Sequence, residues 1–406
     1  MIKQQFEISA GYKKWTNILL GVGGLAFVLG VVFLGMSKDE LAQTRFWSVL
    51  LQNSTFFLLV VNASMFFIGV TTLAMGGWQM AFRRVPEAIS SVVPVFSVLA
   101  LLVFAGLIFG NRHDVYHWLD KEHVAHDPIL KGKTAFLNPT FFMAWTVITL
   151  SLWSFVGAKM RKLSSLADEN MDQETSKKFI WNNTVWAAVF IVFFALTVAS
   201  TIPWLWLMSI DAHWYSTMYS WYTFASTFVA GMSLVALFVV YLKNQDYLEY
   251  VTEEHLHDLG KFMFAFSVFW TYLWYSQFML IWYANIPEET IYFKPRLQGA
   301  YRGIFFLNLI INFVLPFLLL MKRGSKRNYT SMTFVAVLII LGHWVDFYQM
   351  VMPGTMHEHY SLGWFEFGML IFYAGLIMYF VGRGLSKKPL LAAHHPFVKE
   401  SLIHHT

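Results

Sequence analysis

Apolar residues in this chain come in long runs of about twenty positions, the length an α-helix needs to cross a hydrocarbon core, and short polar or charged clusters separate them. The pattern predicts spans at 16–34, 54–81, 89–109, 139–160, 179–208, 216–242 and 262–283. It adds an eighth entered by Arg302, a ninth at 330–354 and a tenth at 363–381. The expected fold class is therefore all-α, a polytopic membrane protein with ten transmembrane helices. No small-residue cleavage boundary follows the first run, so it reads as a retained span rather than a signal peptide. Pro203 predicts a kink or tilt in the fifth span.

Polar residues inside these runs are the candidate chemistry, because ionisable groups within a membrane helix mark functional sites by default. The ninth run carries His343, Asp346 and Gln349 at steps of three. A proton-handling pair and a helix-to-helix pairing both account for His343 and Asp346. In the seventh run Ser267, Thr271 and Tyr275 recur every four residues, which suits a water chain or plain interhelical bonding. Asn308 and Asn312 stand one turn apart in the eighth. Glu366 opens the tenth, where a carboxylate also suits the helix N-terminus. Asp211 and His213 lie among aromatics after the fifth run, and His257 and Asp258 belong to an acidic, His-containing mouth before the seventh.

The 111–138 connection holds His113, Asp114, His117, Asp120, His123, His126 and Asp127. Its spacing completes no recognised metal motif, so no metal is expected.

With 57% hydrophobic and 13% charged residues and a mean hydropathy of +0.51, the chain is too apolar for an ordinary soluble protein. The absence of cysteine excludes disulfides, thiolate zinc, cysteine-held iron–sulfur clusters and CxxCH haem attachment. No cofactor bound by this chain is expected. A net charge of +5 suits membrane lipids with anionic headgroups rather than nucleic acid. Twenty of the 29 Lys and Arg fall on the side of the N-terminus, so both termini are expected in the cytoplasm.

Three segments carry a resemblance: IPWLWLMSIDAHWYSTMYSWY at 202–222, LGKFMFAFSVFWTYLWYSQFMLIWYANIPEETIYF at 259–293 and HWVDFYQMVMPG at 343–354. They resemble the NrfD/PsrC-like integral membrane subunits of bacterial alternative complex III. The resemblance implies four-helix bundles at 54–209 and 210–352. It leaves 1–53 and 353–406 to peripheral first and tenth helices with their tails. It places the chain in the bacterial inner membrane, in a complex that oxidises menaquinol or ubiquinol and reduces cytochrome c or a terminal oxidase. Its implied partners are a sister NrfD-like subunit, an iron–sulfur subunit and multihaem cytochrome c subunits. These hold the c-type haems and iron–sulfur clusters. By this resemblance His343 and Asp346 belong to a proton relay, Glu366, Asp211 and His213 to its exterior route, and His257 and Asp258 to its interior route. A quinone-binding subunit, a purely structural anchor and a secondary transporter are the other readings of the same residues.

Overall fold

A computed structural model describes residues 5–359 and 362–405; Lys3 of the basic N-tail lies outside them. Among the described residues nine helices are long and apolar enough to cross a membrane: α1 Ala10–Gly35, α2 Glu40–Leu73, α3 Arg84–Phe109, α4 Pro139–Asp168, α5 Gln173–Trp206, α6 Met218–Asn244, α8 Gly299–Leu320, α9 Tyr329–Met356 and α10 Trp364–Leu385. Between α6 and α8 runs α7, Glu253–Ala284, a helix of 32 residues. It is long enough but less apolar, because the stretch predicted as the seventh span is rich in Trp and Tyr.

Several helices overrun the apolar runs that predicted them. α2 begins at Glu40 rather than near 54, capped by the Asp39 carboxylate on the Leu41 N–H, and stops at Leu73 before the Ala74–Gly77 break. α7 begins at Glu253, where Thr252 and His255 form a reciprocal cap. Hydropathy sees only the greasy middle of a helix, whereas capping fixes its end. α9 runs through Pro353 to Met356. In α5 a π-helical turn, Thr197–Thr201, precedes Pro203 and takes up the strain expected of that proline.

α2 and α6 form the middle of the molecule, and they are the two most enclosed of the nine spans. Their contact depends on small residues. A Cβ on Gly231 of α6 would lie 2.7 Å from the Ala63 Cβ and 3.0 Å from the Val60 carbonyl of α2. In lipid, close backbone approach of this kind replaces the hydrophobic drive that packs helices in water. α1 and α10 pair with each other at the periphery. Gly23 sits against the Phe372 backbone, and Gly375 against the Leu20 N–H. The outward face of α1, with Trp15, Leu25, Val28 and Phe33, is exposed.

The two termini share one end of the bundle. The Gln5 backbone pairs with Pro389, and its side chain donates to the Ser386 carbonyl at 2.5 Å. The predicted hydrophilic loop at 111–138 folds at the other end into a short 3-10 turn, His117–Leu119, and two short helices, Lys121–His126 and Pro128–Lys133.

Gly231→Leu should destabilise the protein by about 1–3 kcal/mol through overpacking. Thermal unfolding in detergent reads this directly, and an unchanged midpoint would show that the α2–α6 crossing yields without cost.

Candidate functional site

Four helices converge on one buried carboxylate. Asp346 of α9 has no exposed surface. Its Oδ1 accepts from the Tyr222 hydroxyl of α6 and from Asn308 Nδ2 of α8 at 2.8 Å. Its Oδ2 accepts from Ser226 Oγ of α6 at 2.8 Å and from Trp270 Nε1 of α7 at 3.0 Å. None of these donors is a cation. Removing a carboxylate from water costs several kcal/mol even after relaxation. Hydrogen bonds to a charged group return about 1.5–3 kcal/mol each. Four of them offset the cost.

His343, expected to pair with Asp346, is not directly bonded to it. Its Nδ1 lies 3.9 Å from Asp346 Oδ2, beyond hydrogen-bond reach, while Ser226 Oγ lies 2.9 Å from that nitrogen. With Ser226 donating to Asp346, its hydroxyl oxygen is free to accept the imidazole proton, so the serine bridges the two. The Trp270 ring stands edge-on to the His343 ring at 5.3 Å and fixes its plane.

The polar character continues beyond the carboxylate toward the end holding the termini. Asn312 Nδ2 donates to Asn308 Oδ1 at 2.6 Å, and Asn312 sits within a π-helical turn, Ile310–Val314. Three buried atoms, His343 Nε2, Asn312 Oδ1 and Ser267 Oγ, make no hydrogen bond among the described residues. Each lies about one turn from the Asp346 layer on its own helix, on the same side. Buried polar atoms without protein partners are the usual seats of internal water.

On the opposite side a narrow cavity touches two members of the Asp346 cage, Tyr222 and Asn308, together with Gln277, Tyr292, Arg296 and Gln349. Gln277 Nε2 and Gln349 Oε1 also lack partners among the described residues. Arg296 closes this side. It donates to the carbonyls of Gln349 at 2.9 Å and Met350 at 3.2 Å, and to Asp211 Oδ2 at 3.2 Å. Its guanidinium lies over the Tyr292 ring at 3.5 Å. Burial pushes the Tyr292 hydroxyl up to about 12.

The structure separates other residues that the sequence had grouped. Thr271 and Tyr275 do not continue the inward line of Ser267. The Thr271 hydroxyl donates to the Ser267 carbonyl, and Tyr275 is 55% exposed. Steps of four advance roughly 40° around a helix, so two steps turn the face outward. The enclosed face of α7 instead follows Ser267, Trp270, Trp274 and Gln277. Glu366 lies apart from the Asp346 cage. Arg45 grips it through Nε at 2.8 Å and a second nitrogen at 2.7 Å, and it also caps the Gly363 N–H at 2.9 Å. Asp211 and His213 take different partners, since His213 pairs with Asp127.

At the end holding the termini, Asp258 is held by Lys261 at 2.5 Å and His404 at 2.7 Å, with His257 at 3.8 Å. The C-terminal tail covers this mouth. Ser401 Oγ donates to the Trp78 carbonyl at 2.6 Å and lies 3.1 Å from His255 Nε2. Between Asp258 and Ser267 the enclosed face of α7 offers Leu259, Gly260 and Met263, all without polar side chains.

Tyr222, Ser226, Trp270 and Arg296 escaped the sequence reading. Their signals were weak: Tyr222 and Ser226 stand four apart in a run that carries several other hydroxyl side chains and no charged one, and Arg296 looks like an ordinary loop cation. No protein-family model matches the chain, and no curated protein matches it.

The tail also carries a titration. Burial, and then the nearby Arg83 charge, lower the His395 imidazole to about 3. A histidine depressed in the fold takes up its proton more readily when released. Docking is therefore fully stabilised above the ordinary histidine range near 6.5 and weakens as pH falls from there toward 3. After correction for the intrinsic pH dependence of amide exchange, the protection of residues 392–402 should fall as pH drops from about 6.5 to 5 in the wild type and change less in His395→Phe.

Proposed function

We propose that this chain is an NrfD/PsrC-like membrane subunit of a quinol:electron-acceptor oxidoreductase, and that Asp346 is the protonatable centre of a proton relay within it. The observation that carries the reading is a fully enclosed carboxylate with no cation in its cage and unpartnered buried polar atoms on both sides of it. On this reading a proton reaching His343 Nε2 from one side releases the Nδ1 proton to Ser226 Oγ, whose own hydroxyl proton passes to Asp346 Oδ2. The Tyr222 and Asn308 side of the cage then opens to the cavity before Arg296 and Asp211. Desolvation and the four donors are of comparable size, so a small shift of α6 or α8 changes how firmly the carboxylate is held. Quinol oxidation in a neighbouring subunit supplies that shift. The haems and clusters belong to partner subunits.

In this proposal α7 is a tenth span and both termini are cytoplasmic. α2 to α5 and α6 to α9 form the two four-helix bundles, with α1 and α10 peripheral. The interior route does not follow α7 from Asp258, whose enclosed face is apolar up to Ser267; it reaches the Asp346 layer along Asn312 and His343.

Because the chain has no cysteine, a single introduced one is the sole thiol target. Lys121→Cys should react with an impermeant maleimide from the periplasmic side, and Lys322→Cys only after permeabilisation. Both residues are exposed. The reverse pattern would invert the orientation, and both sites reacting from the same side would remove the tenth span.

Asp346→Asn keeps the shape and hydrogen-bonding capacity of the side chain but removes its titration. In the assembled complex in proteoliposomes, the proton-to-electron ratio should fall while the subunit still assembles. Ser226→Ala should lower it in the same direction by breaking the bridge to His343. Altered quinol affinity with an intact ratio would point to a quinone site, and failed assembly of both variants to a structural role. A normal ratio with normal turnover would rule out a required role for Asp346.

A further inference from the structure

The fold gathers three metal-type ligands that the proton relay leaves unused. His123 lies within the short helix Lys121–His126, and Asp127 is the extended residue between that helix and the next, Pro128–Lys133. His213 arrives from the turn after α5, 86 residues along the chain from Asp127. One ligand atom from each residue lies within 4.8 Å of the other two.

The surroundings prepare this group. Asp127 Oδ1 is occupied by the N–H groups of Ile129 at 2.8 Å and Leu130 at 3.1 Å, which orients the carboxylate and turns Oδ2 toward the histidine. Asp120 caps the His123 N–H at 3.2 Å and fixes the start of that helix. Lys133 donates to the Ala212 carbonyl at 2.6 Å, so the two chain segments are tied together beside His213 by a bond that needs no ligand atom. This bond directs the Lys133 ammonium toward the carbonyl.

We propose that His123, Asp127 and His213 form a site for a divalent transition metal, zinc by ligand chemistry, at the end of the molecule opposite the termini. Two imidazoles and one carboxylate match sites that leave a fourth position to water. Ligand atoms around a four-coordinate zinc stand roughly 3.3 Å apart, given bonds of about 2.0 Å. His213 Nε2 and Asp127 Oδ2 are 2.5 Å apart and must open slightly, while the exposed His123 swings in. The metal would clamp the 111–138 segment to the α5–α6 turn. This assignment is independent of the role of Asp346. The ordinary alternative is a His–Asp hydrogen bond with a neighbouring histidine.

The two are separated by metal binding to the purified full chain in detergent after chelator treatment. Calorimetric titration with zinc should give one equivalent whose affinity falls at least roughly ten-fold in His213→Ala and in Asp127→Asn. Cobalt should give the intense visible absorption of a four-coordinate ion, lost in both variants. His123→Gln touches no hydrogen bond of the His213–Asp127 pair, so its loss of affinity cannot be ascribed to unfolding. Zinc affinity unchanged in all three variants, or no binding by the wild type at micromolar metal, overturns the site.

Discussion

A carboxylate taken out of water must be given hydrogen-bond donors or a counter-charge, and the packing of α6, α7, α8 and α9 follows from that demand at Asp346. Tyr222, Ser226, Trp270 and Asn308 come from three helices and meet at two oxygen atoms. Their registers are thereby fixed against one another along the membrane axis. A slide of one helix by a single turn would remove a donor and leave a charge buried without it, at a cost of several kcal/mol. The cage is thus a registration device for these four helices.

Other buried charges are handled differently, and they lie toward the ends. Glu87, near the start of α3, accepts from Arg83 at 3.1 Å and Arg84 at 2.7 Å, and Arg84 continues to Asp168. Arg45 grips Glu366, and Arg296 grips Asp211. Each of these carboxylates has a guanidinium, whose planar fork suits paired recognition. Asp346 alone among these five is held only by neutral donors. That contrast, more than burial as such, sets it apart.

Glycine does in lipid what apolar side chains do in water. Gly231 lets α6 cross α2, and Gly23 and Gly375 let α1 and α10 meet backbone to backbone. The same economy appears beside the cage, where Gly342 leaves the space that Asn312 Oδ1 fills; a Cβ there would come within 2.2 Å of it. Close approach and polar chemistry are therefore coupled on α9.

The sequence by itself determined the class of the protein and nearly all of its helices, because the length and polarity of an apolar run are local properties that the bilayer reads directly. It also marked His343 and Asp346, since an ionisable residue in such a run stands out without any partner in view. It misjudged the α7 stripe, where steps of four drift off one face, and it grouped Glu366 and His213 with residues they do not meet. It left the donors of the cage unrecognised, because Tyr222, Ser226 and Trp270 are unremarkable within their own helices. Only the tertiary structure decided which of those side chains share two oxygen atoms, that Ser226 stands between His343 and Asp346, and that His213 reaches Asp127 across 86 positions. The physical reason is that hydrogen bonds between helices depend on rotation and register, which helix-to-helix packing sets and no single helix encodes.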